Sequence, residues 1–251
     1  MNASAPVLEM RGLRLAFVGE ERRTIALDGL DLAIGPAEVV GVVGETGCGK
    51  TVTGLAAMRL LPGSARLSAD VLRFAGRDLM AMDDRSLRRI RGAEVAMIFQ
   101  NPATAFNPVF TIGDQMADVL AAHDRERGAP ARARVREVLG WVGMPDVERV
   151  MRAYPHQLSG GMLQRAMIAT ALLCGPRLII ADEPTTALDV TVQKQVLRLL
   201  KALQAAHGTA ILFITHDLGV VAKLCDTVSV MHAGRILESA TAAQLFAAPG
   251  H

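Results

Sequence analysis

A glycine-rich segment between a predicted buried strand and a predicted helix limits the fold more than any other feature of the sequence. The run Val39–Val43 is rich in β-branched residues and carries no charge, which is typical of a strand buried on both faces. The segment Gly44–Thr51 follows it and fits the pattern G-x-x-x-x-G-K-[ST], and apolar residues from 52 to 61 then predict a helix that ends at 62–63. This order of strand, glycine loop and helix predicts a phosphate-binding loop in an α/β fold.

The residue types of this loop suit a bound nucleotide. Its glycines allow backbone N–H groups to converge on phosphate oxygens, and the N-terminus of the following helix adds a partial positive charge. Lys50 supplies a full positive charge to the β- and γ-phosphates, and the Thr51 hydroxyl is a candidate Mg²⁺ ligand. The candidate nucleotide-binding residues are Gly44, Glu45, Thr46, Gly47, Cys48, Gly49, Lys50 and Thr51.

Charge and cysteine content exclude several other kinds of protein. With 27 Lys+Arg against 25 Asp+Glu, the net charge of +2 is too small for a general nucleic-acid-binding protein. The 3 cysteines are widely spaced and odd in number, so they predict neither a disulfide framework nor a metal site, and a reducing cytosol is expected. The first residues do not resemble a signal peptide, and the charge-free stretch 95–113 contains Asn, Gln and Pro. Any membrane role is therefore expected to be peripheral.

The rest of the chain alternates strands and helices on either side of a helical middle. After residue 176 the pattern predicts strands and helices in turn, at Leu178–Ala181, Val190–His207, Ala210–Ile214, Leu218–Leu224 and Thr227–Met231. Such alternation is typical of a parallel sheet with right-handed crossovers. The middle is instead predicted as helices, at Ile112–His123, Ala131–Val142 and Ser159–Cys174. We therefore expect an α/β core at about 1–100 and 176–251, with an inserted helical subdomain at about 101–175.

Two carboxylates, Asp182 and Glu183, follow a predicted buried strand. The preceding run Leu178–Ala181 is apolar, and the carboxyl ends of strands are where α/β sheets bind ligands. Asp182 is a candidate Mg²⁺ ligand, directly or through water, and Glu183 is a candidate for polarising an attacking water. Solvated acids are common at strand ends, so the pair alone is weak evidence for a catalytic site. The phosphate loop in the same chain strengthens that interpretation.

The segment Leu158–Arg165 opens a long predicted helix with two adjacent glycines. Ser159 is a good N-cap, so a plain helix start is one interpretation. That interpretation leaves Gly160 and Gly161 in the first turn at a cost of about 1 kcal/mol each relative to alanine. Amides at a helix N-terminus bind anions, which favours the docking of a phosphate here.

In this order the motifs resemble those of the ATP-binding subunit of an ABC transporter, over nearly the whole chain. Gly44–Thr51 is similar to the Walker A loop and Leu178–Asp182 to Walker B, and Leu158–Met162 resembles the LSGGQ signature with Met162 where Gln is usual. Gln100 is similar to the Q-loop glutamine, and Glu183 is similar to the catalytic glutamate of the family. Ala187–Asp189 resembles the D-loop, with Asp189 as its acidic residue. His216 resembles the switch histidine, and Phe17 resembles the aromatic residue that stacks on adenine. The resemblance implies a P-loop NTPase (RecA-like) α/β core with an N-terminal antiparallel β subdomain and an inserted α-helical signature subdomain.

The resemblance also implies how these residues act on ATP and Mg²⁺. Two such domains pair head to tail, so that the signature of one reaches the γ-phosphate bound by the other. The implied catalytic residues are Lys50, Glu183 and His216, with Glu183 orienting water and His216 contacting the γ-phosphate. The implied Mg²⁺ ligands are Thr51, Gln100 and Asp182, and Gln100 also links the nucleotide to the helical subdomain. The signature residues that act in trans are expected to be Leu158, Ser159, Gly160, Gly161, Met162 and Gln164.

Two other classes of P-loop protein fit the sequence less well. A small-molecule kinase would lack the signature segment and the Asp182–Glu183 pair arranged for hydrolysis. Soluble ABC-type ATPases of DNA repair carry coiled-coil or zinc insertions, for which the stretch between Lys50 and Ser159 is too short, and translation-type members carry two motif sets per chain. The sequence therefore favours a transporter motor, with a soluble ABC-type ATPase as the distant alternative.

Longer segments resemble the peptide/nickel class of bacterial ABC importers: Phe99–Pro108, Tyr154–Met162 and Ala181–Thr191. The resemblance implies a sister ATP-binding subunit in a heterodimer, two integral-membrane permeases and an extracytoplasmic solute-binding protein. It also implies a peripheral location on the cytoplasmic face of the bacterial inner membrane.

The cargo is the least constrained inference. The run Asn107–Gln115 resembles the dipeptide and oligopeptide systems more closely. Three other features resemble the nickel systems: Gln100–Pro102 with Ala105–Phe106, the stretch Met162–Arg165, and the absence of a cysteine-rich tail. Peptides are expected, and nickel stays the alternative. Many ATPases of this class continue past such a point as Pro249–His251, and the sequence leaves open whether a tail is naturally absent or cut off.

Overall fold

The computed structural model describes residues 5–19, 22–123, 125–186 and 189–247 of the chain. The N-terminal part holds two long strands, the phosphate-loop strand and helix, and a set of short strands. These elements are β1 (Leu8–Val18), β2 (Arg23–Ile34), β3 (Val39–Gly44), α1 (Lys50–Ala57), β4 (Ala65–Ser68), β5 (Val71–Phe74), β6 (Arg77–Asp78) and α2 (Asp84–Ile90).

The middle of the chain is mainly helical between two short strands. Its elements are β7 (Val95–Ile98), α3 (Pro102–Ala105), α4 (Ile112–Ala122), α5 (Ala129–Trp141), α6 (Val147–Arg152), a 3₁₀ turn (Pro155–Gln157), α7 (Gly160–Leu172), β8 (Leu178–Asp182) and α8 (Val190–His207). The last part returns to strands, with β9 (Ala210–Thr215), α9 (Leu218–Leu224), β10 (Thr227–His232), β11 (Arg235–Thr241) and α10 (Ala242–Ala247).

Backbone contacts divide the chain into two compact units. The first is formed by Met1–Leu87 with Gly208–His251, and the second by Arg88–His207. The predicted helical subdomain at about 101–175 lies inside the second unit, which also contains β7 and β8. The division into a core and an inserted subdomain at the expected boundaries stays a prediction.

The first unit contains two sheets, which confirm the predicted antiparallel subdomain and parallel core, and the core sheet gains an antiparallel edge strand that was not predicted. In the antiparallel sheet the strand order is β2-β1-β5-β6, and β4 also pairs with β1. In the other sheet β3 lies between β10 and β9 and pairs with both in parallel, while β11 adds an antiparallel edge to β10. Val39–Val43 is fully buried, as its charge-free sequence predicts.

A glycine bulge explains the irregular hydrophobic spacing of β2. Leu27 and Leu30 are both buried although they are three residues apart, which a regular strand does not allow because its side chains alternate. Gly29 absorbs the extra residue with a φ of +75°, and the pairing with β1 jumps from Leu30 to Asp28 at this point.

The helix after the phosphate loop is shorter than predicted. It ends at Ala57 rather than near position 61, because Arg59 takes a left-handed φ of +50°. The N–H of Leu60 then donates to the carbonyl of Leu55, and the Arg59 guanidinium donates to the backbone carbonyl of Leu79 at 2.8 Å. The Leu60 bond, together with the bond from the Arg59 N–H to the Ala56 carbonyl at 2.9 Å, satisfies carbonyls at the helix end in place of a further turn, and the guanidinium bond holds the Arg59 side chain.

The second unit packs its helices on one another and on a parallel strand pair. Strands β7 and β8 pair in parallel from Val95–Leu178 to Ile98–Ala181, and every residue of both strands is buried. Helix α7 contacts β7 and also helices α3, α4 and α5. No helix among the described residues is long and apolar enough to cross a membrane.

Candidate active site

The phosphate loop joins the end of β3 to the start of α1 and needs glycine for two different reasons. Gly49 is the N-cap of α1 and has a φ of +111°, a conformation that strains other residues. Gly44 has an ordinary φ, but a Cβ there would lie 2.2 Å from the backbone oxygen of Met231. Gly47 also has a positive φ, and a Cβ there would meet open space. The loop therefore packs closely against neighbouring atoms at Gly44 and Gly49, and it has free space around Gly47.

The loop rests on the turn between β10 and β11. The N–H of Gly234 donates to the carbonyl of Cys48 at 2.9 Å. A Cβ at Gly49 would meet the Met231 side chain at 2.7 Å and the Ala26 carbonyl at 2.8 Å. These close approaches leave no room for a side chain at Gly49, so the loop backbone packs directly against β2 and β10.

Lys50 is held inside this loop. It is 5% exposed, and its ammonium donates to the carbonyls of Gly44 and Glu45, each at 2.8 Å. The buried ammonium also lies 4.0 Å from the Cys48 sulfur. Phosphate oxygens are stronger acceptors than these carbonyls, so a nucleotide in the loop would draw the charge toward its β- and γ-phosphates. Thr51 is the second residue of α1 and is exposed.

His216 lies beside the same loop, within the first unit. It follows β9 directly, it is exposed, and Asp217 caps α9 immediately after it by accepting from the N–H of Gly219 at 2.8 Å. A cleft of about 510 Å³ borders both His216 and the loop residues Gly44 and Glu45. The other residues that line this cleft are Val43, Leu218, Val230, Leu245 and Phe246.

The second unit holds the predicted acidic pair. Asp182 ends β8 and is 4% exposed. Glu183 follows with a left-handed φ of +44°, so the backbone departs from the extended strand conformation at this residue. The Glu183 side chain is half-buried. The amide of Gln100 donates to Glu183 Oε2 at 3.0 Å, and the Thr186 hydroxyl donates to the same oxygen at 2.9 Å. The structure therefore brings Gln100 and Glu183 together, although 83 residues separate them.

Thr186 was not singled out from the sequence. Its contact with Glu183 depends on the turn after β8, in which the N–H of Thr186 also bonds to the Glu183 carbonyl at 3.3 Å. The signal for that turn is Pro184 followed by two threonines, because proline favours a turn and a nearby threonine hydroxyl can reach back three residues.

The signature segment forms the exposed N-terminus of α7. Ser159 is the N-cap, and its hydroxyl accepts from the N–H of Met162 at 3.4 Å. Gly160 is exposed, with nothing within 4 Å of the place where a Cβ would be, and Leu158 is buried and anchors the segment. Gly161 faces the Val192 side chain of α8. The first turn of α7 therefore presents backbone amides on an open surface, as anion docking requires.

Gln164 differs from the other signature residues. It is 1% exposed, and its amide donates to the carbonyl of Pro184 at 2.7 Å. Its side chain therefore points into the second unit and not toward solvent.

Two other candidates have different surroundings. Asp189 is the N-cap of α8, where its carboxylate accepts from the N–H groups of Thr191 and Val192 at 3.0 Å each. Ala187 and Leu188 of the predicted D-loop lie outside the described residues. Phe17 is half-buried in β1, opposite Thr24 of β2, and its role in adenine binding stays a prediction.

Comparison with known proteins places this site in a family. Residues 27–186 match the family model described as ABC transporter, and residues 152–222 match a model of AAA domains. The "Probable peptide ABC transporter ATP-binding protein y4tR" of Sinorhizobium fredii is 50% identical over 246 residues, which are 98% of this chain and 73% of that protein. The "Probable D,D-dipeptide transport ATP-binding protein DdpD" of Escherichia coli is 50% identical, with 98% of this chain and 75% of that protein covered.

A solved structure agrees with the sequence relatives. The dimeric post-hydrolysis structure of the ATP-binding cassette MJ0796, bound to ADP and Pi, has a TM-score of 0.79 and 26% identity, and it covers 94% of this chain and 98% of that chain. The family match spans more than half of this chain, and both named relatives match nearly all of it. The chain therefore belongs to the ABC transporter family, in which it is an ATP-binding subunit that hydrolyses ATP.

Proposed function

We propose that this chain is the ATP-hydrolysing motor subunit of a bacterial importer of di- and oligopeptides. The observation that carries the hydrolytic part is the Glu183 carboxylate, which stands directly after a buried strand and is held at one oxygen by Gln100 and Thr186. A carboxylate fixed in this way is suited to orient a water and accept its proton. The names of the relatives described above support peptide as the cargo.

The loop and the switch histidine supply the electrostatic part of the chemistry. Lys50 and the amides of the loop stabilise the negative charge on the β- and γ-phosphates, because they are fixed before the reaction begins. His216 is exposed and borders the same cleft as Gly44 and Glu45, from which we expect it to contact the γ-phosphate of a bound nucleotide. Glu183 orients the attacking water, and the remaining loop residues bind the nucleotide.

The residue types of the expected ligands fit Mg²⁺. This ion prefers oxygen ligands, and the expected set offers the Thr51 hydroxyl, the Gln100 amide oxygen and the Asp182 carboxylate. Asp182 is also 4% exposed, so its charge is little screened by water. When bound, Mg²⁺ would neutralise charge on the β- and γ-phosphates.

A second ATP-binding subunit completes each site. The first turn of α7 begins with the exposed residues Ser159 and Gly160, and we assign its backbone amides to the γ-phosphate held by a partner subunit. The dimeric structure of MJ0796 with ADP and Pi supports such pairing. A sister chain of similar length in a heterodimer is the arrangement we propose, with the D-loop residue Asp189 near the subunit contact.

Membrane partners are proposed to dock on the second unit. Large apolar side chains are exposed close to Gln100 in the sequence: Phe99 is 41%, Val109 69% and Phe110 53% exposed. Exposed apolar residues of this size are typical of interaction surfaces. We assign them to two permease subunits, which place the chain on the cytoplasmic face of the inner membrane, with an extracytoplasmic protein that delivers the solute.

Binding measurements on that extracytoplasmic protein test the cargo. We expect calorimetry to give binding of di- to pentapeptides and no binding of free or chelated Ni²⁺. Tight nickel binding without peptide binding would overturn the peptide assignment. The ATPase assignment would be unaffected, because it rests on the phosphate loop and on Glu183.

A further inference from the structure

We propose that Gln164 is a positioning residue that ties the signature helix to the catalytic glutamate of its own chain. The inference rests on the proposed role of Glu183 as the residue that orients water. It differs from the expectation that Gln164 acts in trans with the rest of the signature segment.

The burial of Gln164 decides between these two roles. Its side chain is 1% exposed, and its amide donates to the Pro184 carbonyl at 2.7 Å inside the second unit. A side chain with this burial cannot reach a nucleotide bound by another subunit. Among the described residues, the hydrogen-bond partner of this side chain is instead Pro184, which follows Glu183 in the chain.

The backbone at Glu183 needs this kind of support. Glu183 has a φ of +44°, a conformation that costs a non-glycine residue free energy and persists only when the surrounding structure enforces it. Pro184 is also buried, so its carbonyl has no ready replacement for the Gln164 amide. The hydrogen bond therefore holds the strained turn that aims the Glu183 carboxylate.

Gln100 and Thr186 act on a different part of Glu183 than Gln164 does. Gln100 and Thr186 hold its carboxylate, whereas Gln164 holds the main chain behind it. Loss of the Gln164 bond would leave the carboxylate with its partners but would let the turn relax. A misplacement of reacting groups by about 1 Å can cost about 10²-fold in rate.

Helix α7 is a firm support for this bond. The neighbouring Arg165 donates to the Val142 carbonyl and to the Gln195 amide oxygen, each at 2.6 Å, which fixes α7 to the end of α5 and to α8. The same helix begins with the signature residues. Binding of a partner's γ-phosphate at the start of α7 can therefore be transmitted to Glu183, which serves the chain's own nucleotide.

The test uses the assembled transporter and the variant Gln164→Met, which keeps the side-chain length and removes the donor. We expect kcat for ATP to fall by about 10- to 100-fold while KM for ATP changes by less than about 3-fold. Gln195→Met is the matched control, because it removes a glutamine bond to the same helix away from Glu183, and it should change kcat by less than about 2-fold. If Gln164→Met does not fold, Gln164→Asn, which keeps an amide but shortens its reach, takes its place.

Mixed complexes then show which site is affected. When the partner ATPase carries Gln in place of its catalytic glutamate, only Glu183 of this chain is active, and Gln164→Met should give the full loss of kcat. When Gln164→Met is combined with Glu183→Gln in this chain, only the partner's site is active, and its kcat should change by less than about 3-fold. An equal loss in both arrangements, or a loss confined to the second, would overturn the proposal. An inactive wild-type complex would instead count against the proposed function.

Discussion

Replacement of Glu183 by glutamine is expected to stop hydrolysis and leave ATP binding intact. In the structure Glu183 Oε2 accepts from the Gln100 amide and from the Thr186 hydroxyl. The amide oxygen of glutamine can accept both of these bonds in the same place. The variant should therefore keep the local fold while it loses the ability to take a proton from water.

The expected magnitudes differ greatly for turnover and for stability. A positioned general base contributes about 10²- to 10⁴-fold, which corresponds to about 3–5 kcal/mol of transition-state free energy. A hydrogen bond to a charged acceptor is stronger than one to a neutral acceptor by about 1 kcal/mol, and the two bonds are partly exposed. We therefore expect the free energy of unfolding to fall by no more than about 1 kcal/mol, while turnover falls at least about 10²-fold.

The assay is ATP turnover by the assembled transporter, with the nucleotide affinity of the same sample measured by fluorescence. Thr186→Val is the matched control, because it removes one of the two donors and keeps the carboxylate. We expect it to lower turnover by less than about 10-fold. Unchanged turnover in Glu183→Gln, with wild-type ATP binding, would reject Glu183 as the residue that activates water.

Three further predictions concern positions whose surroundings differ. Gly44→Ala places a Cβ 2.2 Å from the Met231 backbone oxygen, so it should lower the free energy of unfolding by about 2 kcal/mol and Tm by about 4–8 °C. Calorimetry measures both quantities. Gly63→Ala is the control, because its Cβ meets open space, and it should leave Tm unchanged. Gly160→Ala also meets open space and should keep or raise Tm. It should nevertheless lower ATP turnover of the dimer, because the added methyl group would stand where we propose that the partner's phosphate docks; unchanged turnover would contradict this docking. Burial raises the pKa of the Cys174 thiol, so little thiolate is present at pH 8, and its reaction with a disulfide reagent should be at least about 10-fold slower in the native protein than in denaturant, as absorbance would record.

Local sequence patterns predict the parts of the site that lie within a few residues of one another. The buried valine strand, the glycine loop and the start of α1 follow from spacing alone, because phosphate binding demands glycines and a lysine in that order. The strand before Asp182 and the N-cap at Ser159 are predicted for similar reasons. Both are confirmed, since each depends on one short segment.

Contacts between distant segments are not predictable in this way. The bond from Gln164 to Pro184 depends on how α7 lies against the turn after β8, and no periodicity encodes that packing. The early end of α1 at Arg59 has the same origin, since tertiary carbonyls from Leu79 and Met82 hold the guanidinium. Tertiary contacts thus decide details that residue propensities leave open.

We propose that two subunits share each ATPase site and that hydrolysis drives peptide import. The most direct test compares the rate of ATP hydrolysis by the isolated chain with that of the full complex in proteoliposomes. If one chain supplies half of each site, as we propose, the isolated chain should turn over at least about 10²-fold more slowly per site than the complex. Peptide-loaded extracytoplasmic protein should raise the rate of the complex further. A monomeric chain that hydrolyses ATP at the full rate of the complex, with no response to peptide, would contradict both the shared site and the coupling to import.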